Sequence, residues 1–306
     1  MEIMNVYVII VTYNGMQWYE RCFNSLRLSK IPLKVFVIDN ASSDGTVGFI
    51  KTNFPEIQLV ESQVNLGFGK ANNLGFRVAI ENNADYVFLL NQDAWIKEDD
   101  TIEQLIFAHK INLEYGIISP MHLYGSGEKV SKGMKMDLVS HDYDSTSDII
   151  SDLYFNRKLN DIYKVDYVCA AAWLIPCAVL KVVGGFDSIF FHYGEDDNYM
   201  QRIVYHGYSI GICPNVSICH DMEFRGGDYG KENNNWKKNM LIELANINKP
   251  LNLNQLKRRY LFKFFQLILF LQFSAAFKNF NVFSFILKHE SDISKSYLKN
   301  KGRVIF

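Results

Sequence analysis

A few polar residues, each set at the end of an apolar run, have the types and spacing to do chemistry. Asn91-Gln92-Asp93 closes Tyr86–Leu90. A carboxylate beside amide oxygens at a strand tip suits Mg²⁺ or Mn²⁺, hard cations that keep waters and share substrate phosphate oxygens. Glu195-Asp196-Asp197 follows Phe190-Phe191-His192-Tyr193-Gly194. Three adjacent acids repel one another, which raises the pKa of at least one and suits a general base. The same acids would also complement a helix dipole, and both roles hold together. Arg202, six residues after Asp196, is expected to pair with one of these carboxylates. Asp39 closes Leu33–Ile38. There a carboxylate accepts from a nucleobase imide or ribose hydroxyls, or serves only as a turn residue. His220 follows Ile210–Cys219 and is read either as a third metal ligand or as a structural histidine. Asn65-Leu66-Gly67-Phe68-Gly69 precedes a helix opening Lys70-Ala71-Asn72-Asn73. Its glycines would leave backbone N–H groups at a helix N-terminus for phosphate, although the spacing is neither GxGxxG nor a P-loop.

The elements that must position these residues alternate over the first hundred positions. Val6–Val11 is a continuous apolar run, as in a strand buried on both faces, and Thr12-Tyr13-Asn14-Gly15 breaks it. Helical spacing over Met16–Ser29 leads to a second strand at Leu33–Ile38. Ser42-Ser43-Asp44-Gly45-Thr46 is turn and N-cap chemistry, opening a helix to about Asn53. A short strand at Ile57–Glu61, a helix at Gly69–Asn82 and a strand at Tyr86–Leu90 follow. This alternation predicts βα units and a mostly parallel sheet. Ligands of such sheets bind beyond the carboxyl ends of the strands, where Thr12-Tyr13-Asn14, Asp39-Asn40 and Asn91-Gln92-Asp93 fall. From Thr101 to Leu159 the pattern is less regular, and Tyr124–Asp148 is expected as a loop or hairpin. Tyr167–Leu180 is apolar, a helix is expected from Glu195 to about His206, and Ser209–Cys219 is expected as a strand pair broken at Pro214. Asp221–Asn235, polar and Gly-rich, is expected as a loop.

The 306 residues are 48% hydrophobic and 21% charged, which excludes disorder, collagen-like repeats and coiled coil for most of the chain. A chain of this length is one large domain or two small ones and folds without a disulfide or metal staple. A net charge of −1 argues against a nucleic-acid binder. The cysteines Cys22, Cys169, Cys177, Cys213 and Cys219 are odd in number and include no C-x-x-C spacing. Buried free thiols in a reducing cytosol are expected, with a Cys169–Cys177 pair as the alternative in an oxidising compartment. The first residues carry no basic segment, and Val6–Val11 is too short for a signal peptide, so the protein is expected in the cytoplasm. From Lys257 onward ten Lys and Arg stand against two acids, +8, so the preceding residues sum to −9. Phe264–Phe277 is apolar except for Gln266, Gln272 and Ser274, and falls short of the roughly 20 residues that span a bilayer. Residues 256–288 are expected as interfacial helices on an anionic leaflet, peripheral on the inner face of the membrane. The alternative is a helical pair packed on the domain or in a homodimer.

Taken together, VIIVTYNG, VIDNASSDGT, NLGFGKANNLG, FLLNQD, GGFDSIFFHYGEDDNYMQR and the histidine of CHD resemble family 2 glycosyltransferases, especially the bacterial rhamnosyltransferase-like branch. The likeness runs from about Val6 to His220. It implies an α/β GT-A fold, with a Rossmann-like, mostly parallel sheet flanked by helices and a C-terminal helical extension. Residues 1–100 would bind the nucleotide sugar, 101–240 would bind the acceptor and carry the catalytic groups, and 241–306 would form the extension.

The resemblance also implies roles. Thr12, Tyr13 and Asn14 would line the nucleotide pocket, Asp39 would bind the nucleobase, and Asn65 and Gly67 would approach the nucleotide or sugar. Asp93 matches the last acid of the family's metal-binding DXD motif, with Asn91 in place of the first and Gln92 between them. Asp196, beside Glu195, would be the catalytic base, and His220 a ligand of Mg²⁺ or Mn²⁺ or of diphosphate. Asn198 stands where members often carry a further acid, and Phe224-Arg225-Gly226-Gly227 where a Ser or Thr often follows the His. The expected activity is inverting transfer of a sugar, rhamnose by branch, from a dTDP- or UDP-linked donor. The acceptor would be a glycan hydroxyl, lipid-linked, in bacterial surface polysaccharide synthesis. A non-catalytic sugar-nucleotide or glycan-binding subunit is the alternative.

Overall fold

The computed structural model describes residues 4–138, 143–221 and 236–302. Its first half is β1 (Val6–Thr12), α1 (Met16–Arg27), β2 (Leu33–Asp39), α2 (Thr46–Asn53), β3 (Gln58–Glu61), α3 (Phe68–Glu81) and β4 (Tyr86–Leu90). These are the elements expected from the alternation, with ends moved by a residue or two. Strand β1 shows why the run is continuous: Tyr7 and Ile9 belong to the core on one face of the sheet, and Val6, Val8 and Ile10 to the core on the other. The four strands pair in parallel, in the spatial order β3-β2-β1-β4.

The chain continues through β5 (Ala94–Ile96), α4 (Thr101–Ile111), β6 (Tyr115–Leu123), α5 (Lys132–Asp137), α6 (Tyr143–Tyr154) and β7 (Tyr163–Val165). Then come β8 (Ala172–Pro176), α7 (Cys177–Val183), α8 (Glu195–Tyr205) and β9 (Ser209–His220). The sheet extends as β4-β8-β6-β9-β5, with β7 also on β9. Strand β8 runs antiparallel to β4 and to β6, whereas β6 and β9 are parallel. The sheet is therefore mixed. The carboxyl ends of β1, β2, β4 and β9, and the amino end of β8, share one edge.

Two expectations are corrected. Tyr124–Asp148 is not a plain loop or hairpin. An antiparallel bridge joins Leu123 to Val130, and Ser131 then caps α5 by accepting the Met134 N–H at 3.2 Å. Helix α6 starts within the same stretch. Nor is Ser209–Cys219 a pair of strands. It is one strand whose register on β6 jumps from Pro120↔Cys213 to Met121↔Ser217, so Pro214 sits in a bulge, where a missing N–H is tolerated. The expected loop at 221–235 lies outside the described residues beyond Asp221, as do Phe224–Gly227.

After position 235 come α9 (Trp236–Ala245), α10 (Leu253–Leu269) and α11 (Phe273–Lys301). The helical extension packs through Leu244, Leu253, Ile286 and Ile293. Phe262, Phe265 and Leu269 in the second half of α10, Phe270 and Leu271 in the turn and Phe273 at the start of α11 are exposed. Among the described residues no helix is long and apolar enough to cross a membrane. All five cysteines are free, and Cys22, Cys177, Cys213 and Cys219 are buried.

Candidate active site

The shared sheet edge is wired mainly by side chain to backbone bonds. Thr12, fully buried, donates through Oγ1 to Asp39 Oδ1 at 3.0 Å, and Ser42 N–H donates to the other Asp39 oxygen at 2.9 Å. Asp39 thus does hold the turn after β2, and an ionised carboxylate keeps lone pairs beyond the two used. Gln92 clamps the turn after β1: its Oε1 accepts from Tyr13 N–H at 2.8 Å and from Tyr19 Oη at 3.0 Å, and its Nε2 donates to Tyr13 C=O at 3.2 Å. Tyr13 leaves its own ring exposed. Asn14 holds the neighbouring turn by accepting Ser43 N–H at 2.8 Å, and its N–H donates to Ser42 Oγ at 3.0 Å.

Asn40 bridges the end of β2 to the glycine turn. Its Nδ2 donates to Asn65 Oδ1 at 2.9 Å and its Oδ1 accepts Leu66 N–H at 2.8 Å. The same Asn65 oxygen accepts Gly67 N–H at 2.9 Å. Gly67, at φ 77°, is in the left-handed region, and a Cβ there would run into the Phe191 carbonyl. A Cβ on Gly69 would meet Phe186 Cβ at 3.0 Å and Glu195 Cβ at 3.7 Å. The glycines are required because this turn lies directly against the segment leading into α8, which Asn73 fixes through bonds to Phe186 N–H and C=O at 2.7 and 2.9 Å.

Asp93 and His220, 127 positions apart, become neighbours because β5 pairs antiparallel with the end of β9, Ala94 facing His220. Asp221 N–H donates to the Asp93 carbonyl at 2.9 Å. The His220 Nε2 to Asp93 Oδ1 distance is 3.3 Å, with both side chains buried. The ring of His122 stands edge-on to His220, centroids 6.1 Å apart, and meets Ser119 Oγ at 3.0 Å through Nε2. Burial, with the His220 ring beside it, pushes the His122 pKa down to about 3, so it is neutral. Asn91 donates its N–H to Ala171 C=O at 2.9 Å, at the amino end of β8.

The same end of β8 reaches the acidic helix. Tyr167 Oη donates to Asp196 Oδ2 at 2.9 Å, and Asp197 N–H to Asp196 Oδ1 at 2.9 Å. Asp137 Oδ2 accepts Cys169 N–H at 3.3 Å. Burial raises the Asp137 carboxyl to about 7, with the Asp196 charge adding to it. Glu195 is 5% exposed, and burial followed by Asp196 raises it to about 8. Asp197 rises to about 7 for the same reasons. At neutral pH Glu195 is therefore mostly protonated, while Asp196 and Asp197 are both half-buried. Tyr193 (φ 64°) and Gly194 (φ 97°) precede the helix in successive left-handed conformations. For a bulky residue such as Tyr193 this is strained, and such strain collects at functional sites.

Arg202 does not pair with these acids. Six residues along a helix is 240° round it, and Arg202 is buried on the far side, donating from Nη2 to Val183 C=O at 2.7 Å with Tyr199 beneath it. Of the expected residues, Asp93 and His220 meet directly. Thr12 and Asp39 meet likewise, as do Tyr13 and Gln92, and Asn65 and Gly67. The sequence places Asn40 in a strand-end cluster without a role, and marks none of Asp137, Tyr167 and His122. The last three carry no local signal.

Residues 7–184, more than half of the chain, match the family described as Glycosyl transferase family 2, and the chain belongs to that family. Asp196 and His220 lie beyond the matched residues. Over 233 residues the chain is 24% identical to N-acetylglucosaminyl-diphospho-decaprenol L-rhamnosyltransferase of Mycobacterium tuberculosis, covering 70% of this chain and 75% of that protein. Among solved structures, S. aureus TarS 1–349 in complex with UDP aligns at a TM-score of 0.55 and 15% identity, over 80% of this chain and 65% of that one. The mannosyltransferase PcManGT from Pyrobaculum calidifontis, in complex with GDP-Man and Mn²⁺, aligns at 0.52 and 19%, over 79% and 61%. The chain spans less than two thirds of the length of these two structures. The fold is GT-A: a mixed sheet flanked by helices, with a helical C-terminal region.

Proposed function

We propose that the chain is an inverting glycosyltransferase. It moves a sugar, rhamnose by its branch, from a dTDP- or UDP-linked donor to a hydroxyl of a lipid-linked glycan in bacterial surface polysaccharide synthesis. The observation that carries the reading is the meeting of Asp93 with His220 at 3.3 Å, on the sheet edge that also bears Asp39 and the Tyr167–Asp196 pair. In this reading residues 1–100 bind the donor, 101–240 bind the acceptor and hold the base, and 241–306 face the membrane.

One carboxylate and one imidazole fit Mg²⁺ or Mn²⁺. Among the described residues no group of three or more His, Cys, Asp and Glu side chains is placed to hold a metal, so water and donor phosphate oxygens would complete the shell. When bound, the cation supplies charge neutralisation for the departing diphosphate. Asp39 receives the nucleobase beside Thr12, Tyr13 and Asn14. Asn65 and Gly67 bring backbone to the nucleotide or sugar, and Asn91 and Gln92 shape the floor of the same pocket. Asp196 accepts the proton of the acceptor hydroxyl as its oxygen bonds to the anomeric carbon. The bond from that carbon to the donor phosphate oxygen breaks on the opposite face, and the nucleotide diphosphate leaves with both electrons.

The relative acting on a decaprenol-linked sugar and the exposed aromatic turn between α10 and α11 support a lipid-linked acceptor and a peripheral place on the inner membrane face. Serine at Phe262, Phe265 and Phe270 is expected to lower binding to anionic vesicles, measured by sedimentation. The activity is tested with a panel of nucleotide sugars and Mg²⁺ or Mn²⁺, scored by thermal shift and nucleotide diphosphate release. Release dependent on metal and acceptor supports the reading. Metal-independent binding without release from any donor would instead mark a non-catalytic sugar-nucleotide-binding subunit.

A further inference from the structure

A cavity of about 690 Å³ lies between the segment leading into α8 and the helices α9 and α11. Lys237 and Lys238 line it from α9, and Lys295 and Lys299 from one face of α11. Among the described residues two carboxylates share the walls. Asp187 is already committed, with Ser296 Oγ and Asn300 Nδ2 donating to its Oδ2 and Ile189 N–H donating to its Oδ1 at 3.0 Å. Asp292 is the other. Lys295 and Lys299, one helical turn apart, make the α11 wall of the cavity basic. Lys295 and Lys299 form no ion pair with a carboxylate among the described residues. The buried Asp187–Ser296–Asn300 contact ties α11 to the catalytic body, so the opposing walls are fixed in place before anything binds.

The cavity also adjoins the acidic helix. Lys238 Nζ stands over the Tyr193 ring, 5.7 Å from its centre, and its charge acts on Glu195 and Asp197. Phe191, exposed at its ring, lines the same cavity while its carbonyl faces Gly67. A ligand in the cavity therefore lies next to the helix start that carries Asp196. Phe285 and Leu241 add apolar wall. Lysines on flexible stems meet phosphate oxygens as point charges without demanding one fixed geometry.

We infer that this cavity holds the diphosphate of a prenyl-linked acceptor and so presents the attached sugar's hydroxyl to Asp196. The inference rests on the glycosyltransferase reading and adds to it the group by which the acceptor is held. The test titrates the full chain with farnesyl diphosphate, inorganic pyrophosphate and phosphatidylglycerol vesicles. It compares the natural protein with K295A/K299A and K295R/K299R, both at exposed positions. Farnesyl diphosphate binding is expected to weaken about tenfold in the alanine variant and to be kept by the arginine variant, each lost contact being a partly solvated charge pair. UDP or dTDP binding should be equal in all three. With a prenyl-diphosphate-linked sugar as acceptor, K295A/K299A should raise the acceptor KM about tenfold and leave the donor KM unchanged. Equal farnesyl diphosphate affinity in the natural and alanine proteins overturns the inference. So does pyrophosphate binding as tightly as farnesyl diphosphate, which assigns the site to the free anion. Binding to the vesicles alone overturns it too, since the lysines would then be a membrane patch. Failure of the glycosyltransferase reading looks different: no donor releases its nucleotide, whatever the cavity binds.

Discussion

The two sides of the sheet edge are built differently. On the side of β1, β2 and β4, neighbouring βα turns are cross-braced by neutral amides and hydroxyls: Gln92 on Tyr13, Asn14 on Ser43, Asn40 on Asn65. On the side of β8 and α8, four carboxylates crowd together, and burial pushes three of them, Asp137, Glu195 and Asp197, up to about 7 or 8. Apart from Asp39, which holds Thr12 and Ser42, the braces of the first side are groups that do not titrate, which suits the nucleotide site proposed there. The second is electrostatically loaded, which suits the general-base role proposed for Asp196. The Gly67 turn, seated against Phe191, is where the two meet.

Removing the proposed base should separate the sides most clearly. Asp196→Asn keeps the size of the side chain and its bond from Tyr167, and should lower release of nucleotide diphosphate about 10²–10⁴-fold. Donor binding, measured by calorimetry, should stay within about twofold. Retained turnover would sink the assignment of Asp196. The seam comes next. Gly67→Ala puts a methyl group into the Phe191 carbonyl at a φ that alanine avoids, and should cost about 1–3 kcal/mol. A lower melting temperature together with weakened donor binding is the expected outcome. An unchanged melt would mean that the two sides are not coupled through this turn.

Tyr167→Phe is a smaller cut. It deletes one hydrogen bond to the Asp196 carboxylate and nothing else in the rim. Bonds to charged groups are worth about 1.5–3 kcal/mol, so kcat should fall about tenfold with the donor KM unchanged. A matching rise in the donor KM would show that Tyr167 serves the other side as well.

The same contrast explains what the sequence made legible. Strands β1 and β4 are buried on both faces and read as unbroken apolar runs, β2 is buried from Phe36 onward with Lys34 exposed near its start, and the polar residues that end all three fall where the chain leaves the sheet. Their partners, such as Asn40 and Asn65, come from adjacent βα units. Strand β6 was hidden because Gly116, Ser119, Pro120 and His122 dilute its apolar pattern, yet Ser119 and His122 satisfy each other within the core. Asp137 and Tyr167 had no local signal, because their meeting with Asp196 depends on helix α5 and strand β8 folding over α8. Asp93 and His220 each stand out in the sequence singly, by residue type and by likeness. Their contact follows from an antiparallel β5–β9 pairing that no periodicity announces.

The carboxylates of the second side should make its stability pH-dependent, and Asp137 is the cleanest probe because it also accepts a backbone bond that an amide oxygen can keep. Its folded-state pKa, about 7, lies above the ordinary 3.8, so the native protein holds this proton more tightly than the unfolded chain does. Unfolding between about pH 4 and pH 7 therefore releases a proton, and stability falls as pH rises across that window. Above it the full penalty of burying the charge beside Asp196 is present. Asp137→Asn carries no charge at any pH and should melt higher than the natural protein at pH 8, by about 2 °C for each 1 kcal/mol relieved. The difference should vanish near pH 4, where the natural carboxyl is already protonated. Glu195 and Asp197, raised in the same direction, would leave a residual slope in the variant. A gain of equal size at pH 4 and pH 8 would mean that asparagine improves packing alone, and that the acidic side does not store the repulsion this contrast assigns to it.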